Sequence, residues 1–243
     1  AIGHVRYSTV GKSDLESAQP LKVKDLCIAH NGTISNVEEL SNLVGGCTFT
    51  PQNASDTLVA AQRLVSLITE NGKLGNALSI LKNEMVGSFC FTFLSDDDAV
   101  FAARDPKGFR PMVLGHKENG KVHIVTSESS AISAIGAKLV RDVVPGELIK
   151  ISKDGGFETE MFSDDETRAH CSFEFTYFAQ PSSKMEGTNI YLARKRIGQF
   201  LAKKYPITDA DVVIPVPDSA RPAALGFAQE LGIQFDEGLL KDR

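Results

Sequence analysis

The chain has 243 residues, 42% apolar and 23% charged, and its 26 basic and 31 acidic residues leave a formal net charge of −5. That length has room for one large or two modest domains, each with its own core, and the composition reads as soluble and globular. The acidic balance speaks against nucleic-acid binding as a main activity, and no apolar run approaches the roughly 18 residues needed to span a membrane.

The opening run Gly3-His4-Val5-Arg6-Tyr7-Ser8-Thr9-Val10-Gly11 is extended and β-branched and stops at a small residue, the pattern of a strand that delivers polar groups to a loop. Arg6 in that setting can grip a carboxylate with two parallel hydrogen bonds, although a lone arginine is more often a surface ion pair. Residues 12–24 are polar and read as a loop. Residues 25–29 read as a strand that presents Ala29-His30-Asn31-Gly32-Thr33-Ile34-Ser35-Asn36. Asn31 and Gly32 together offer a side-chain amide and an unobstructed backbone N–H to one oxygen. Asn-Gly is also the commonest tight-turn dipeptide, and Asn31-Gly32-Thr33 fits a glycosylation sequon in a chain with no sign of secretion.

A helix is expected over 37–44, capped by Asn36. After Asn53-Ala54-Ser55-Asp56-Thr57, the spacing of Leu58, Val59, Ala61, Leu64, Val65 and Ile68 is helical, which places Asp56 near a helix start where the dipole favours its carboxylate. A second amphipathic helix is expected over 74–85, then an alternating aromatic strand over 87–94. Asp96-Asp97-Asp98 reads as a solvated turn, not a metal site. Residues 99–103 begin another strand, which leads into the turn Arg104-Asp105-Pro106-Lys107-Gly108-Phe109-Arg110-Pro111. A strand over 122–126, a helix capped by residues 127–131 and a turn and strand over 143–151 follow. Helices and alternating strands without a strict βαβ repeat suggest antiparallel sheets covered by helices.

Residues 152–170 are polar and charged, and a domain boundary is expected there, with a linker over 162–167. A second unit opens at Cys171-Ser172-Phe173, with a helix over 190–205 that is basic in its first half. A buried strand is expected over 211–216, running into the loop Pro217-Asp218-Ser219-Ala220-Arg221 and a helix over 222–231. Strand, loop and helix in that order start an open parallel sheet, which binds ligands at the carboxyl ends of its strands. Cys27, Cys47, Cys90 and Cys171 show no Cys-x-x-Cys spacing and read as reduced, mostly buried thiols.

Residues 3–11, Gln19-Pro20 and residues 29–36 resemble the glutaminase domain of the class II, N-terminal nucleophile, glutamine amidotransferases. Tyr7 and Ala18-Gln19-Pro20 point to the amidophosphoribosyltransferase branch. The resemblance implies a four-layer αββα sandwich over 1–162 (an α+β fold), followed by the start of an α/β type I phosphoribosyltransferase domain over 171–243. It implies that Arg6 holds the glutamine carboxylate and Asp56 its ammonium, and that Asn31 and Gly32 form the oxyanion hole. Arg104 and Asp105 fall in a family signature and are expected to support the site structurally.

In the second domain the resemblance puts Ser219 at a magnesium and phosphoribosylpyrophosphate site and Lys241, in Gly238-Leu239-Leu240-Lys241-Asp242-Arg243, near the phosphates. Loop capping and a solvated lysine are the plain alternatives for these two. Cys171 stands where some members place the first ligand of a [4Fe-4S] cluster, whose other cysteines are expected after Arg243. The family nucleophile is an N-terminal cysteine. Cys27 is not it, since it lies within a strand and has no free amine.

That cysteine is expected before Ala1 and the acidic ribose-gripping loop after Arg243, so this stretch alone is expected to be inactive. The implied activity is the first committed step of purine synthesis, from glutamine and phosphoribosylpyrophosphate, in a cytoplasmic homo-oligomer with no nucleic-acid or membrane partner. A glutamine-binding regulatory module that lost its chemistry, and another class II enzyme such as a glucosamine-phosphate synthase, are the competing readings. The Pro217-Asp218-Ser219 region speaks against the latter.

Overall fold

The computed structural model describes residues 1–5, 18–44 and 55–242. Arg6, Tyr7 and the rest of the opening strand pattern, the loop expected over 12–17, Cys47, Asn53, Ala54 and Arg243 lie outside the described residues. The chain divides into two compact units, one formed by Ala1–Ser127 with Val143–His170 and the other by Glu128–Asp142 with Cys171–Arg243.

The first unit contains β1 (Leu21–Val23), β2 (Leu26–Ile34), α1 (Val37–Asn42), α2 (Asp56–Asn71), α3 (Leu74–Glu84), β3 (Gly87–Ser95), β4 (Val100–Arg104), β5 (Val113–Lys117) and β6 (Val122–Thr126). α4 (Ser129–Ala134) and β7 (Lys138–Asp142) belong to the second unit, and β8 (Glu147–Ile151) and β9 (Phe157–Met161) return to the first. A six-stranded sheet runs β1-β2-β3-β4-β8-β9, antiparallel throughout, and β5 pairs antiparallel with β6.

Side chains alternate across a strand, so each face of this sheet has its own core. Phe89, Phe91 and Phe93 of β3 and Leu148 of β8 pack with Val59, Leu64 and Leu67 of α2 and Leu78 and Leu81 of α3. On the other face Cys90, Ala102 and Ile149 pack with Met112, Leu114 and Val143. These are helix, sheet and sheet layers, in keeping with the expected mixed fold. A strand covered on both faces has little use for polar alternation, which is why Phe89-Cys90-Phe91-Thr92-Phe93 reads as one nearly continuous apolar run.

Several expectations are corrected. Within the polar stretch 12–24, Leu21–Val23 is a strand, because Val23 and Leu26 open a tight hairpin with β2. β2 does not stop at residue 29. It runs to Ile34 because β3 supplies a partner for every residue, from Leu26↔Ser95 to Ile34↔Gly87, so Asn31-Gly32 lies inside a strand and is not a turn. Asn36 occupies the cap position of α1 without making a cap bond. Its amide instead accepts from the Val86 N–H and donates to the Glu84 carbonyl, both at 2.8 Å, tying the end of β2 to the end of α3. The polar stretch 152–170 contains β9, an edge strand whose exposed residues Glu158, Thr159 and Glu160 account for its polarity.

The second unit continues with a turn of π-helix (Glu174–Phe178), β10 (Lys184–Met185), β11 (Thr188–Asn189), α5 (Ile190–Lys204), β12 (Val212–Val213), α6 (Arg221–Leu231) and β13 (Gln234–Phe235). α5 and α6 touch through glycines: a Cβ on Gly198 would sit 1.8 Å from the Ala223 carbonyl, and one on Gly226 2.0 Å from the Lys195 carbonyl. Ala179, Met185 and Ile190 form a small core with Phe175. Glu128, at the cap position of α4, does not cap it; its carboxylate accepts from the Gln180 N–H and the Ser183 hydroxyl, both at 2.8 Å. The strand expected over 211–216 shrinks to Val212–Val213, parallel to β13. It is not buried, since Val212, Ile214 and Val216 are 45%, 45% and 67% exposed. Among the described residues this strand has a single partner, which leaves the apolar run largely uncovered.

Candidate functional site

Strand β2 carries His30, Asn31 and Gly32 in succession, so the His30 ring and the Asn31 amide point to opposite faces of the sheet. On the helix side His30 is buried against Phe91, with ring centroids 4.9 Å apart. Its Nε2 lies 3.3 Å from the Ser88 carbonyl and its Nδ1 3.1 Å from Thr57 Oγ1. A carbonyl can only accept, so Nε2 carries the proton and Nδ1 takes the Thr57 hydroxyl. Gln19 closes the network, accepting the His30 N–H at 2.7 Å and donating to Thr57 Oγ1 at 3.1 Å. Burial pushes the His30 pKa below its ordinary value, against the opposing pull of Asp56 and the Ser88 carbonyl, so the ring is neutral.

Asp56 is the first residue of α2, directly after Ser55, whose hydroxyl caps the helix by accepting from the Leu58 N–H. Its Oδ2 accepts from the Ile34 N–H of β2 at 3.1 Å and its Oδ1 from the Thr57 N–H at 2.8 Å. A carboxylate offers about four acceptor positions, so these two bonds leave capacity for an ammonium group. The carboxylate also lies 4.0 Å from His30 Nδ1.

On the opposite face, Asn31 Oδ1 accepts from Arg110 Nε at 3.2 Å and Nη2 at 3.0 Å, while Asn31 Nδ2 donates to Ser127 Oγ at 3.3 Å. A side chain at Gly32 would force its neighbours to shift, since a Cβ would stand 2.1 Å from the Ser88 carbonyl oxygen and 2.5 Å from His30 Nε2. The loop that supplies Arg110 is held from beneath by Arg104, 1% exposed, which donates to the carbonyls of Arg110, Val143 and Gly108 at 2.8, 2.8 and 3.0 Å. Asp105 accepts from the Lys107 and Phe109 N–H groups. Burial raises its pKa, and those two N–H groups and Arg104 oppose the rise. Arg104 and Asp105 therefore hold in place the loop that carries Arg110.

Of the residues expected around glutamine, Asn31, Gly32 and Asp56 gather on β2 or against it. Arg6 lies outside the described residues; the Asp56 carboxylate meets β2 at the Ile34 N–H, along the strand's edge, while the Asn31 amide bonds Arg110 and Ser127. Two open hollows, of about 520 Å3 beside residues 161–168 and about 550 Å3 beside Pro181 and Tyr191, are lined by none of these three. Sequence reading missed His30 and Gln19 as a buried network and Arg110 as the partner of Asn31. Gln19 and His30 fall within motifs that carry the resemblance, whereas the Arg110 contact spans 79 positions and leaves no local trace.

In the second unit Ser219 is half-buried in the turn before α6, in which Asp218 pairs with Arg221 at 3.2 Å. Lys241 is exposed and outside any regular element. Cys171 is buried, while the other described cysteines, Cys27 and Cys90, belong to the first unit. Among the described residues no group of three or more His, Cys, Asp or Glu side chains is placed to hold a metal ion. An iron–sulfur cluster needs about four thiolates, and among the described residues Cys171 is the one cysteine of the second unit. No helix among the described residues is long and apolar enough to cross a membrane.

The family model described as a glutamine amidotransferase domain matches residues 4–134. Among curated proteins, the amidophosphoribosyltransferase of Archaeoglobus fulgidus is 45% identical over 248 residues, covering 100% of this chain and 53% of the relative. That of Bacillus subtilis is 37% identical over 250 residues, covering 100% and 51%. Among solved structures, the glutamine phosphoribosylpyrophosphate amidotransferase of B. subtilis complexed with ADP and GMP superposes with a TM-score of 0.84 at 34% identity, over 99% of this chain and 51% of that one. A structure described as the allosteric regulatory enzyme of purine biosynthesis gives a TM-score of 0.85 at 35% identity over the same shares. The chain thus spans about half the length of the relatives it matches.

Proposed function

The chain belongs to the glutamine amidotransferase domain family, and on that premise we propose that the full-length protein is a glutamine-dependent amidophosphoribosyltransferase. The observation that carries this reading is that identity of 37–45% to amidophosphoribosyltransferases runs over the whole chain, through both units, not over the glutaminase-like unit alone. The first 162 residues supply the glutamine site, and residues 171–243 open the acceptor domain.

In the reaction, a cysteine thiolate of the full-length protein adds to the glutamine amide carbon and the carbonyl becomes an oxyanion. The carbon–nitrogen bond then breaks as the α-amino group of that cysteine, which took the thiol proton, returns it to the leaving nitrogen; ammonia leaves, and water releases glutamate from the thioester. Ammonia displaces pyrophosphate from phosphoribosylpyrophosphate to give 5-phosphoribosylamine. Asn31 Nδ2 and the Gly32 N–H take the oxyanion, a role worth roughly 3 to 4 kcal/mol for one donor in comparable sites. Asp56 holds the substrate ammonium with the acceptor capacity its two backbone bonds leave, and Arg6 holds the carboxylate. Ser219 would lie at the magnesium of the acceptor site and Lys241 beside its phosphates. The protein acts as a homo-oligomer in the cytoplasm.

The test is phosphoribosylamine formation by the full-length protein with glutamine and, separately, with ammonium as the nitrogen source. Product from both donors is expected, and Arg6→Ala should raise the KM for glutamine while leaving the ammonium reaction intact. A folded protein that yields product from neither donor would contradict the reading.

A further inference from the structure

We infer that Arg110 is a positioning residue for the oxyanion hole: its guanidinium fixes which edge of the Asn31 amide faces the substrate. This rests on the proposed glutaminase reading. A side-chain amide has one edge that accepts and one that donates, and rotation by half a turn about its last bond exchanges them. An oxyanion needs the donating edge. Arg110 presents N–H groups only, and two of them, Nε and Nη2, lie 3.2 and 3.0 Å from Asn31 Oδ1. The reversed rotamer would set the Asn31 NH2 against those donors, so the guanidinium excludes it.

The donating edge is thereby aimed outward, where one N–H reaches Ser127 Oγ at 3.3 Å in an exposed contact. A bond of that length to a neutral hydroxyl is easily exchanged for one to an anion, which is shorter and about twice as strong. The guanidinium charge beside the Asn31 carbonyl oxygen also polarises the amide, which makes its N–H groups better donors. Arg110 is itself preorganised. Its carbonyl accepts from the buried Arg104 Nε at 2.8 Å, so the backbone that carries the guanidinium is fixed before substrate arrives.

The experiment is a double-mutant cycle in the full-length protein, with kcat and KM for glutamine hydrolysis read separately and ammonium-dependent synthesis as the internal control. Arg110→Met should lower kcat about 10- to 100-fold, with KM for glutamine and the ammonium reaction near their wild-type values. Arg110→Lys, which keeps the charge but not the fork, should fall between Met and wild type. In an Asn31→Ala background, Arg110→Met should change kcat less than about twofold, because the group it positions is gone.

A loss that multiplies with that of Asn31→Ala, a rise in KM with kcat intact, or a wild-type kcat in Arg110→Met would overturn the assignment. If Arg110→Met does not accumulate as folded protein, the same cycle run with Arg110→Lys decides by the same criteria. A wild-type protein that cannot hydrolyse glutamine at all would overturn the glutaminase reading itself, an outcome distinct from an active enzyme in which Arg110 and Asn31 act independently.

Discussion

Each unit contains a buried arginine that donates to three backbone carbonyls, and the two serve different ends. Arg104 binds the carbonyls of Gly108, Arg110 and Val143, and Arg194 of α5 binds those of Glu174, Phe175 and Ala179. A guanidinium with five donors suits an irregular segment that has no ladder partner for its carbonyls. Arg104 works beside two packed cores, and the loop it holds carries Arg110 to Asn31. Arg194 holds a π-helical turn over a core of a few side chains, and the outer residues of that segment, Phe173 and Tyr177, are 61% and 62% exposed. Burial lowers the pKa of Arg194, with Glu128 and Glu174 pulling the other way. The same device builds a site where the surrounding packing is complete, and only holds a turn together where it is sparse.

The largest test of that contrast is to remove each arginine in turn. Arg104→Met removes three donors from a buried loop, where the Gly108 carbonyl keeps His170 Nδ1 at 2.8 Å and the Arg110 carbonyl the Cys90 thiol at 3.5 Å, and should cost the first unit roughly 3 to 5 kcal/mol. Arg194→Met should cost the second unit about 2 to 3 kcal/mol, because its bond to Glu174 is long at 3.5 Å and water reaches the neighbouring turn. Amide hydrogen exchange on the core strands and helices reads each loss in its own unit. Equal losses would erase the distinction.

A smaller effect is expected at Gly32. Gly32→Ala must push aside the Ser88 carbonyl or the His30 ring, an overpacking cost of about 1 to 3 kcal/mol that falls on the first unit alone. A variant as stable as wild type would mean that β2 and β3 are less closely apposed than described.

The smallest is the pH response. His30 has a folded pKa below its unfolded value of 6.5, so between the two the unfolded chain binds more protons than the native one. Its contribution is therefore present above pH 6.5 and is lost as pH falls toward the depressed folded value. His30→Gln should lower stability at neutral pH and flatten the acid-side decline of the first unit, measured as thermal midpoint against pH. A slope identical to wild type would show that His30 is not the titrating group.

How much was legible in the sequence follows the range of the interactions. α2, α3 and α5 declared themselves because their apolar spacing is local, and Ser55 with Asp56 marked a helix start that the structure reproduces. Asn31-Gly32 misled as a possible turn, since its strand conformation is imposed by β3, more than fifty positions away, where His30 faces Ser88 across 58. The apolar residues 212–216 have the pattern of a buried strand, but burial depends on neighbours that pattern alone does not supply. Arg110 stood in a recognised signature, yet its use depends on a contact that only the folded sheet creates.

The most direct measurement is the ratio of glutamine-dependent to ammonium-dependent phosphoribosylamine synthesis in full-length protein carrying Asn31→Ala. If Asn31 is the oxyanion donor, as proposed, its loss should lower the glutamine-dependent kcat about 100- to 1000-fold and leave the ammonium reaction unchanged. An unchanged ratio would contradict the assignment of β2 as the strand that stabilises the transition state.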